Sequence, residues 1–372
     1  MIDFINIKNF KTLLDASFPL SDLNLFSGLN GMGKSTLVQS LLLLRQSQER
    51  NVLMTKGLLL NGEYLALGTG KDALSSASEN EEIIFTIKWR ELDDVAKFVF
   101  DYQHDSDLMP LREASIQGST ESISLFNANF QYLSAERLGP QSHHQLSDFH
   151  IRDLKSIGHH GEYAVHFIAV NGAKELDILE LRHEKALSDT LLANIEAWMS
   201  DITPGLRITA TAQPKFNSAS LSYSFVQGKE IKEITDEFKP QNVGFGLSYV
   251  LPVVTSILSA SRGDLLIIEN PESHLHPAGQ SIMGKLCALA AKNGVQLIVE
   301  SHSDHFLNGV RVAVKQKILA PENVKVFFLQ RDPHSPVHAS DVLYPNIDNE
   351  GRIDCWPDGF FDEWDRQLDR LL

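Results

Sequence analysis

The chain has 372 residues, of which 43% are hydrophobic, so it is long enough for a core domain of ordinary size with insertions or a small second domain. Its net charge of −15 excludes a generally basic nucleic-acid-binding surface, but not a local basic patch. Two cysteines are too few for a disulfide framework, and neither a membrane-spanning apolar run nor a signal-peptide pattern occurs, so we expect a cytoplasmic protein without membrane association.

The first elements in chain order surround a glycine-rich motif. Residues 2–20 predict two strands, and the short apolar run at 23–26 predicts a third, buried strand. Residues 28–35 fit G-x-x-x-x-G-K-[ST], the phosphate-binding P-loop. A leucine-rich segment without glycine or proline then runs to Gln46 and predicts a helix. Strand, glycine loop and helix follow one another in the order that a P-loop requires.

The P-loop predicts a site for ATP and Mg²⁺. Its glycines let the backbone bring N–H groups against phosphate oxygens, and the helix N-terminus adds a positive dipole end. Lys34 is predicted to reach the β- and γ-phosphates and Ser35 to ligate Mg²⁺. A glycine turn that binds nothing is the less favoured alternative. The candidate nucleotide-binding residues of this loop are Asn30, Gly31, Gly33, Lys34, Ser35 and Thr36.

The middle of the chain carries weaker patterns. Short β-like runs within 51–124 predict an antiparallel, β-rich insertion, and 130–137 predicts a strand that runs into a charged turn. The six histidines within 141–166 do not match a zinc-binding pattern, so a polar surface loop is favoured over a metal site. An apolar stripe within 173–202 predicts a helical arm or lid, and alternation within 206–227 predicts further strands.

The last third of the chain alternates strands and helices. An apolar helix is predicted from Tyr249, after a glycine turn at 242–248. The elements that follow are a strand at 265–268, a helix from Pro277 to Asn293, a strand at 295–299, a helix capped by Ser303 and a strand at 324–328. Such alternation around a P-loop predicts an α/β fold with a largely parallel sheet and with ligands at the carboxyl ends of its strands.

Three features of this last third carry predicted chemistry. Glu269 follows an apolar strand, where a carboxylate binds Mg²⁺ through water and opposes the P-loop serine. His302 follows the next strand, where an imidazole lies beside the γ-phosphate. The glycine turn with Gly244, Gly246 and Ser248 opens a helix and is a second phosphate-binding end. This turn is better placed to serve a second copy of the chain than its own P-loop.

The motifs form a recognisable set. They are Ile-Lys-Asn-Phe-Lys at 7–11, the P-loop, Glu-Asn-Pro-Glu-Ser-His-Leu-His-Pro at 269–277 and Glu-Ser-His-Ser at 300–303. Their order resembles the ATP-binding cassette (ABC) ATPases, and more closely the branch of the SMC-like repair ATPases and the OLD-family (overcoming lysogenization defect) ATPases. The tail Trp-Pro-Asp-Gly-Phe-Phe-Asp at 356–362 resembles an uncharacterised domain that ends such bacterial AAA-family ATPases.

The resemblance implies a fold class and a division into domains. We expect an α/β P-loop NTPase of ABC-ATPase type, with a mixed sheet flanked by helices. The ATPase head is expected at 1–50 and 125–322, with an antiparallel β subdomain inserted at 51–124 and a helical arm at 173–202. Residues 323–372 are expected to form a small C-terminal domain.

The resemblance also implies catalytic roles. Lys34 belongs to the Walker A pair, and Glu269 takes the Walker B position, where it holds Mg²⁺ together with the P-loop serine. Asn270 lies where many relatives carry the catalytic glutamate. Glu272 is then the nearest carboxylate that would position the attacking water, with Glu300 as a less favoured substitute.

Further roles follow from the same resemblance. His302 matches the switch histidine, and Gly244, Gly246 and Ser248 stand in for the signature motif, although they depart from Leu-Ser-Gly-Gly-Gln. Gln131 is the candidate for the Q-loop glutamine.

Several of these residues have alternative interpretations. A carboxylate at the end of a strand that binds no metal is a less favoured interpretation of Glu269. His274 and His276 are interpreted as packing and capping the following helix rather than as metal ligands. Arg137 fits a contact to a phosphate or a partner about as well as a surface salt bridge.

The resemblance implies a dimeric nucleotide switch, with ATP held between two copies of the chain. Relatives join the ATPase to a nuclease and act in bacterial defence against phage, so we expect a separate effector subunit, a nuclease in our first hypothesis. A slow or non-hydrolysing ATP-dependent scaffold, favoured by Asn270, is one alternative. An SMC-like DNA-repair ATPase is another, and DNA binding through a local basic surface stays compatible with the sequence.

Overall fold

The computed structural model describes residues 1–116, 122–228, 233–332, 334–335 and 337–371, with the backbone alone at 363–365. The chain divides into two compact units. Unit 1 consists of Met1–Asn127, Val324–Asp348 and Ile353–Leu372, and unit 2 consists of Ala128–Asn323 and Asn349–Arg352.

The strands are numbered in chain order. They are β1 (Ile2–Phe10), β2 (Leu13–Pro19), β3 (Leu23–Gly28), β4 (Gly57–Leu59), β5 (Glu82–Trp89), β6 (Val95–Asp101), β7 (Leu108–Ser115), β8 (Phe130–Leu133), β9 (His143–Gln145), β10 (Leu206–Gln213), β11 (Ser218–Gln227), β12 (Glu233–Ile234), β13 (Leu265–Glu269), β14 (Gln296–Glu300), β15 (Val324–Gln330) and β16 (Asp341–Leu343). The α-helices are α1 (Lys34–Glu49), α2 (Gly70–Ala73), α3 (Ala164–Asn171), α4 (Leu191–Ile202), α5 (Phe245–Leu258), α6 (Pro277–Lys292), α7 (Asp304–Lys315) and α8 (Glu363–Leu371).

Unit 1 contains an antiparallel sheet with the strand order β2-β1-β5-β6-β7-β4. Every second residue of β5 is buried, which is typical of a sheet with one face on the core. β1 pairs with β5, and Ile5 lies opposite Ile87. The strands predicted at 2–20 therefore share one sheet with those of the expected insertion at 51–124. The local sequence pattern does not reveal this pairing, because it joins segments that are far apart in the chain.

The strand before the P-loop lies in a second group of strands in unit 1. β3 pairs in parallel with β15, and β15 pairs antiparallel with β16. Phe26 lies opposite Phe327, and the two rings stack with centroids 4.6 Å apart, while Phe18 packs against both. Burial of each such ring stabilises the unit by about 2–3 kcal/mol. The residues expected to form a C-terminal domain at 323–372 thus begin with a strand that supports the P-loop strand.

Unit 2 is built around three parallel strands. β13 pairs with β14 on one side and with β8 on the other. Leu265–Ile268 and Gln296–Glu300 are buried, as the apolar sequence runs predict for a parallel sheet covered on both faces. Glu269 lies opposite Glu300 in the register, so two carboxylates reach the same edge of the sheet. β10 and β11 are the strands predicted within 206–227, and they pair antiparallel with each other, while β9 and β12 pair with β11.

The helices α6 and α7 confirm the predicted start signals. Pro277 begins α6, and the Ser303 hydroxyl accepts a hydrogen bond of 3.0 Å from the N–H of Phe306 at the start of α7. Two glycines let these helices pack closely. A Cβ atom at Gly284 would lie 2.3 Å from the Phe306 carbonyl oxygen, and one at Gly309 would lie 2.2 Å from the Ser281 carbonyl oxygen.

The helix within the arm predicted at 173–202 is shorter than expected. It covers α4, and a single 3-10 turn at Leu179–Leu181 precedes it. Asn194 explains the difference, because its side chain bonds the carbonyls of Ser188 and Thr190 and the N–H of His183. Such bonds hold the chain before α4 in a loop and compete with helix formation. Leu191, Ile195 and Trp198 are buried, so α4 is a packed helix of unit 2.

Three further features are the start of α5, the two cysteines and the length of the helices. α5 begins at Phe245, four residues before the predicted start, so much of the predicted glycine turn is the first turn of a helix. The chain carries two cysteines, of which Cys287 is buried in α6 and Cys355 is exposed. Among the residues that the structure describes, no helix is both long and apolar enough to cross a membrane.

Candidate functional site

The backbone of the P-loop in unit 1 requires its glycines. β3 ends at Gly28 and α1 begins at Lys34, as the motif predicts. Gly28, Gly31 and Gly33 have φ angles of 145°, 78° and 85°, which residues with a Cβ atom rarely adopt. A Cβ atom at Gly28 would also lie 2.3 Å from the carbonyl oxygen of Leu329 on β15. The close pairing of β3 with β15 therefore excludes any side chain at the start of the loop.

Two hydroxyl groups lie against the end of the loop. A Cβ atom at Gly33 would lie 2.4 Å from Thr12 Oγ1 and 3.2 Å from Ser340 Oγ. Both oxygens are buried and have no hydrogen-bond partner among the described residues. At Gly31, by contrast, a Cβ atom would meet nothing within 4 Å. The loop is thus open at Gly31 and packed against threonine and serine at Gly33.

The side chain of the Walker A lysine is hydrogen-bonded to the backbone of its own loop. Lys34 is buried, and its Nζ donates a 2.8 Å hydrogen bond to the Leu29 carbonyl oxygen. Ser35 and Thr36 follow in the first turn of α1, where the Thr36 N–H bonds the Gly33 carbonyl at 3.0 Å. This first turn carries no acidic residue, so no carboxylate of α1 competes with an anion at the helix N-terminus.

These features fit a nucleoside triphosphate with its Mg²⁺. Three positive-φ glycines shape the loop, the open side at Gly31 leaves its backbone accessible, and the lysine amine bonds a loop carbonyl that it can exchange for phosphate oxygens. A bound Mg²⁺ would neutralise charge on the phosphates, and the Ser35 hydroxyl is the residue of this loop suited to hold it.

In unit 2, Glu269 lies at the end of β13. Its Oε1 accepts a hydrogen bond from the Tyr132 hydroxyl and its Oε2 accepts one from the Ala135 N–H, both at 3.1 Å. Burial raises the pKa of Glu269, while the charge of Arg137 works in the opposite direction. The carboxylate is thus held in one orientation, as a Walker B ligand to Mg²⁺-bound water requires.

Glu272 is the more deeply buried of the two carboxylates. It is 7% exposed, and its Oε1 accepts a 2.9 Å hydrogen bond from the His302 N–H. Its Oε2 is buried and has no partner among the described residues. Burial also raises the pKa of Glu272. One oxygen is thereby fixed, and the other keeps its capacity to accept a proton or a hydrogen bond from water.

Asn270 connects the two glutamates in a strained turn. Its φ angle is 47°, in the left-handed region, and its N–H donates a 2.8 Å hydrogen bond to the Glu300 carbonyl. Its side-chain Oδ1 is buried without a partner among the described residues. Asparagine tolerates this backbone conformation better than glutamate does, which is a physical reason for the departure from the family pattern.

Arg137 supports this turn through hydrogen bonds to its backbone. It is 3% exposed, and its Nη1 donates hydrogen bonds to the carbonyl oxygens of Glu269 at 2.7 Å and Ser134 at 3.0 Å. Its Nη2 donates to the Asn270 carbonyl. Burial lowers the pKa of Arg137 to about 10, so the guanidinium remains charged at neutral pH. The structure therefore shows neither a surface salt bridge nor an exposed phosphate ligand, but a buried support for the turn at 269–272.

The predicted switch histidine lies beside these groups. His302 follows β14, its N–H is bonded to Glu272, and its side chain is 41% exposed. Its Nε2 lies 4.0 Å from Glu300 Oε1. An exposed imidazole at this edge of the sheet remains accessible to a ligand, as the prediction requires.

The signature-like residues lie at the start of α5. Gly244 is the N-cap residue and is exposed, and Gly246 lies in the first turn, where a Cβ atom would be 2.5 Å from the His274 carbonyl oxygen. Ser248 is 9% exposed, and its hydroxyl is buried. Phe245 is 47% exposed and packs with Tyr249 and His274. The start of this helix is thus exposed at Gly244 and Phe245, whereas the serine hydroxyl is buried.

Gln131 has a structural explanation. Its Oε1 accepts hydrogen bonds from the Ser156 hydroxyl and the Ile157 N–H, and its Nε2 donates to the carbonyls of Tyr132 and Gly158. All four of these hydrogen bonds lie within unit 2, where the side chain fixes the loop at 156–158.

Of the two histidines at 274 and 276, one packs against aromatic rings and the other caps a helix. His276 is the N-cap residue of α6 and accepts a hydrogen bond from the Ala278 N–H at 3.4 Å, whereas His274 packs edge-on against Phe245 and Tyr249. Among the described residues, no group of three or more His, Cys, Asp or Glu side chains is arranged to hold a metal ion.

The structure brings together several of the predicted residues and adds others. In unit 2 it gathers Glu269, Asn270, Glu272 and His302, and it places Arg137 under them. In unit 1 it adds two hydroxyls that the sequence did not single out, from Thr12 and Ser340. Thr12 follows the Ile-Lys-Asn-Phe-Lys motif, which is a usable signal, whereas no sequence pattern marks Ser340.

Three family models match parts of the chain. A model described as "AAA ATPase domain" matches residues 1–166, and one described as "AAA domain, putative AbiEii toxin, Type IV TA system" matches residues 159–308. A model for a protein of unknown function, DUF3696, matches residues 319–371. No curated protein matches the chain.

Solved structures of SMC heads share the fold. The structure of an SmcHead bound to the C-winged helix domain of ScpA is 13% identical, with a TM-score of 0.55, over 93% of this chain and 98% of that one. An Smc head domain with an extended coiled coil, bound to the C-terminal domain of ScpA derived from Pyrococcus furiosus, is 13% identical. Its TM-score is 0.50, over 100% of this chain and 99% of that one.

The fold, the P-loop and the two AAA models agree with one another. The chain is an ATPase with a mixed α/β P-loop fold, and the SMC heads share that fold.

Proposed function

We propose that this ATPase is a dimeric nucleotide switch that controls a separate effector subunit. The observation that carries the proposal is the P-loop, in which three positive-φ glycines precede a lysine whose amine donates a 2.8 Å hydrogen bond to a carbonyl of its own loop. ATP with Mg²⁺ is the ligand that such a loop accepts most readily. Its binding would draw Lys34 from Leu29 to the phosphates, which is a defined conformational change for a switch.

The carboxylates of unit 2 supply the proposed catalytic roles. Ser35 and Glu269 hold the Mg²⁺ shell, because both side chains offer oxygen ligands and Glu269 is already fixed by two donors. Glu272 orients the attacking water through its unpartnered Oε2, while the His302 N–H holds the other oxygen. The His302 imidazole contacts the γ-phosphate.

The proposed dimer uses the start of α5. Gly244 and the N–H groups after it lie at an exposed helix N-terminus, which favours an anion such as the phosphates held by a second copy. Ser248 takes part through its backbone in this arrangement, since its hydroxyl is buried. ATP would then lie between two copies of the chain, in contact with the P-loop of one and the α5 turn of the other.

The proposed effector is a nuclease encoded separately, and the proposed setting is defence against phage. The match to a model whose description names the AbiEii toxin supports a defence role. The two SMC heads of similar fold are each bound to another protein, ScpA, which supports a head that acts through a separate partner.

A second candidate function is a slow or non-hydrolysing scaffold. Asn270, with its φ of 47°, occupies the position of the usual catalytic glutamate. In this alternative ATP is a structural ligand that closes the dimer and stays bound.

Turnover and oligomeric state together test the proposal. Mg²⁺-dependent ATP hydrolysis would be measured for the purified chain and for Lys34→Ala, and light scattering would give the mass with ATP, with ADP and without nucleotide. We expect turnover that needs Lys34 and a dimer that forms with ATP. Tight ATP binding without turnover would favour the scaffold. A monomer at all nucleotide concentrations, active on its own, would refute the switch.

A further inference from the structure

We propose that Ser340 is a nucleotide-binding residue contributed by the C-terminal segment at 337–362. Its hydroxyl donates a hydrogen bond to an α- or β-phosphate oxygen of the nucleotide at the P-loop. This inference rests on the proposed nucleotide-binding function, and it gives a role to a part of the chain that matches only a family model of unknown function.

Ser340 is fixed beside the P-loop by its backbone. Its N–H donates a 2.8 Å hydrogen bond to the Thr12 carbonyl oxygen in the turn between β1 and β2. Its Oγ lies 3.2 Å from the position that a Cβ atom at Gly33 would take. Gly33 directly precedes Lys34, so the serine hydroxyl lies next to the residues that hold phosphates in a P-loop.

The hydroxyl has no partner among the described residues, although it is buried. An unpaired buried hydroxyl is unfavourable, because it has lost water without gaining a protein partner. The same is true of Thr12 Oγ1, and Thr36 Oγ1 lies 3.5 Å from the same Cβ position. Three hydroxyls therefore converge on one glycine. An oxygen-rich anion that moves this glycine would satisfy these hydroxyl donors.

The P-loop must rearrange before Ser340 can reach a phosphate. The amine of Lys34 donates a hydrogen bond to the Leu29 carbonyl oxygen and must leave it to reach phosphates. When the loop opens around a nucleotide, Gly33 moves relative to Ser340, and the buried hydroxyl gains access to the ligand. A hydroxyl next to a moving glycine is suited to this role because it donates without adding charge.

The C-terminal segment is anchored to the loop at a second place. A Cβ atom at Gly359 would be 3.9 Å from the Leu29 side chain. Next to it, Phe360 is fully buried and packs edge-on against Phe328 with ring centroids 5.3 Å apart. Phe328 lies opposite Ser27 on the P-loop strand. The segment thus flanks both ends of the loop, so Ser340 is part of a built surface.

The experiment compares nucleotide affinity with stability in the full-length chain. Dissociation constants for ATP and ADP would be measured by calorimetry for wild type, Ser340→Ala, Ser340→Cys and the control Ser335→Ala, whose serine lies in a nearby turn. The thermal midpoint of each nucleotide-free protein would be measured as well. Ser340→Cys keeps the size of the side chain but weakens the donor.

We expect Ser340→Ala to weaken ATP and ADP by about tenfold each, which is the effect of losing one hydrogen bond to a charged group. Its nucleotide-free midpoint should stay the same or rise, because an unpaired buried hydroxyl is removed. Ser340→Cys should fall between, and Ser335→Ala should match wild type.

Other results would overturn the inference in distinguishable ways. Unchanged affinity in Ser340→Ala, with ATP binding intact in wild type, refutes the role of Ser340 and leaves the proposed function standing. A loss for ATP but not for ADP contradicts the α- or β-phosphate contact. A wild-type protein that binds neither nucleotide refutes the proposed function and this inference with it.

Discussion

The P-loop of unit 1 and the carboxylate turn of unit 2, at 269–272, are built in opposite ways. The P-loop is made of backbone, and Leu29, Asn30 and Gly31 are exposed. The carboxylate turn is made of buried and half-buried residues, and Arg137 bonds the carbonyls of two of them. The loop can change shape when a ligand arrives, whereas the turn is already arranged before it does. Preorganisation is thus concentrated in unit 2 and adaptability in unit 1.

In the proposed function, the loop and the turn contribute to catalysis in different ways. The P-loop supplies positive potential, and its lysine must first leave a loop carbonyl. The turn supplies two carboxylates, Glu269 and Glu272. Burial raises the pKa of each, and the positive charge of Arg137 acts to lower it. We therefore expect substitutions in the loop to affect binding and turnover together, and substitutions in the turn to affect turnover with little change in binding.

The largest effect is expected for Lys34→Ala. The variant loses the cation that stabilises the β- and γ-phosphates, so turnover should fall by about a thousandfold and ATP affinity should fall as well. Steady-state hydrolysis and calorimetry would measure both. A Lys71→Ala variant, in the short helix α2 of the same unit, is the control. Retained affinity with lost turnover would assign the lysine to catalysis alone.

Glu272→Gln should separate turnover from binding. The amide keeps an oxygen for the His302 N–H but cannot accept a proton, so the turnover number should fall by about a hundredfold while ATP still binds. Glu300→Gln is the matched control, because Glu300 is also buried at this edge. If Glu300→Gln loses turnover and Glu272→Gln keeps it, the two roles are exchanged.

Arg137→Met tests the support under the turn. Three carbonyl oxygens would lose their donors, so the protein should be destabilised by about 3 kcal/mol. The pH profile should also change. Burial raises the pKa of Glu272 and Arg137 lowers it, so removal of Arg137 raises that pKa further.

The sign of this pH effect follows from the active form. The carboxylate must be ionised, so turnover is lost as the pH falls through its pKa, and the acid limb should move to higher pH in Arg137→Met. The limb of wild type should already lie above the ordinary glutamate value of about 4.3. Stopped assays across the acid range measure both limbs. An unmoved limb would mean that Arg137 acts on packing alone.

Tyr132→Phe should have the smallest effect. It removes one 3.1 Å hydrogen bond to Glu269 Oε1 and leaves the bond from Ala135 in place. The turnover number should fall about threefold, and the loss of stability should be about 1 kcal/mol. Tyr102→Phe in unit 1 is the control for the loss of a phenol. An effect as large as that of Glu272→Gln would mean that the tyrosine orients the carboxylate by itself.

The sequence predicted the elements whose patterns are local. Apolar runs at 23–26 and 265–268 predicted β3 and β13 almost to the residue, and helix signals at Pro277 and Ser303 predicted the starts of α6 and α7. These succeed because burial and capping depend on neighbouring residues in the chain.

The features that the sequence missed depend on distant pairings. Nothing near β1 indicates that it pairs with β5, and nothing near Arg137 indicates that its guanidinium bonds Glu269 and Asn270. The interpretation of Gln131 was open for the same reason, since its partners lie in a loop more than twenty residues ahead. The backbone N–H of Ser340 bonds the carbonyl of Thr12, which is distant in the sequence, and no sequence motif marks this serine.

The two cysteines of the chain have a practical consequence. Cys287 is buried in α6, and burial raises the pKa of its thiol, so alkylating reagents should leave it unmodified. Cys355 is exposed and directly precedes Trp356, whose ring lies 5.3 Å from that of Phe360. The natural chain therefore takes a single fluorescent label without mutagenesis, on the segment that flanks the P-loop. The emission of that label would follow the arrival and departure of nucleotide in real time.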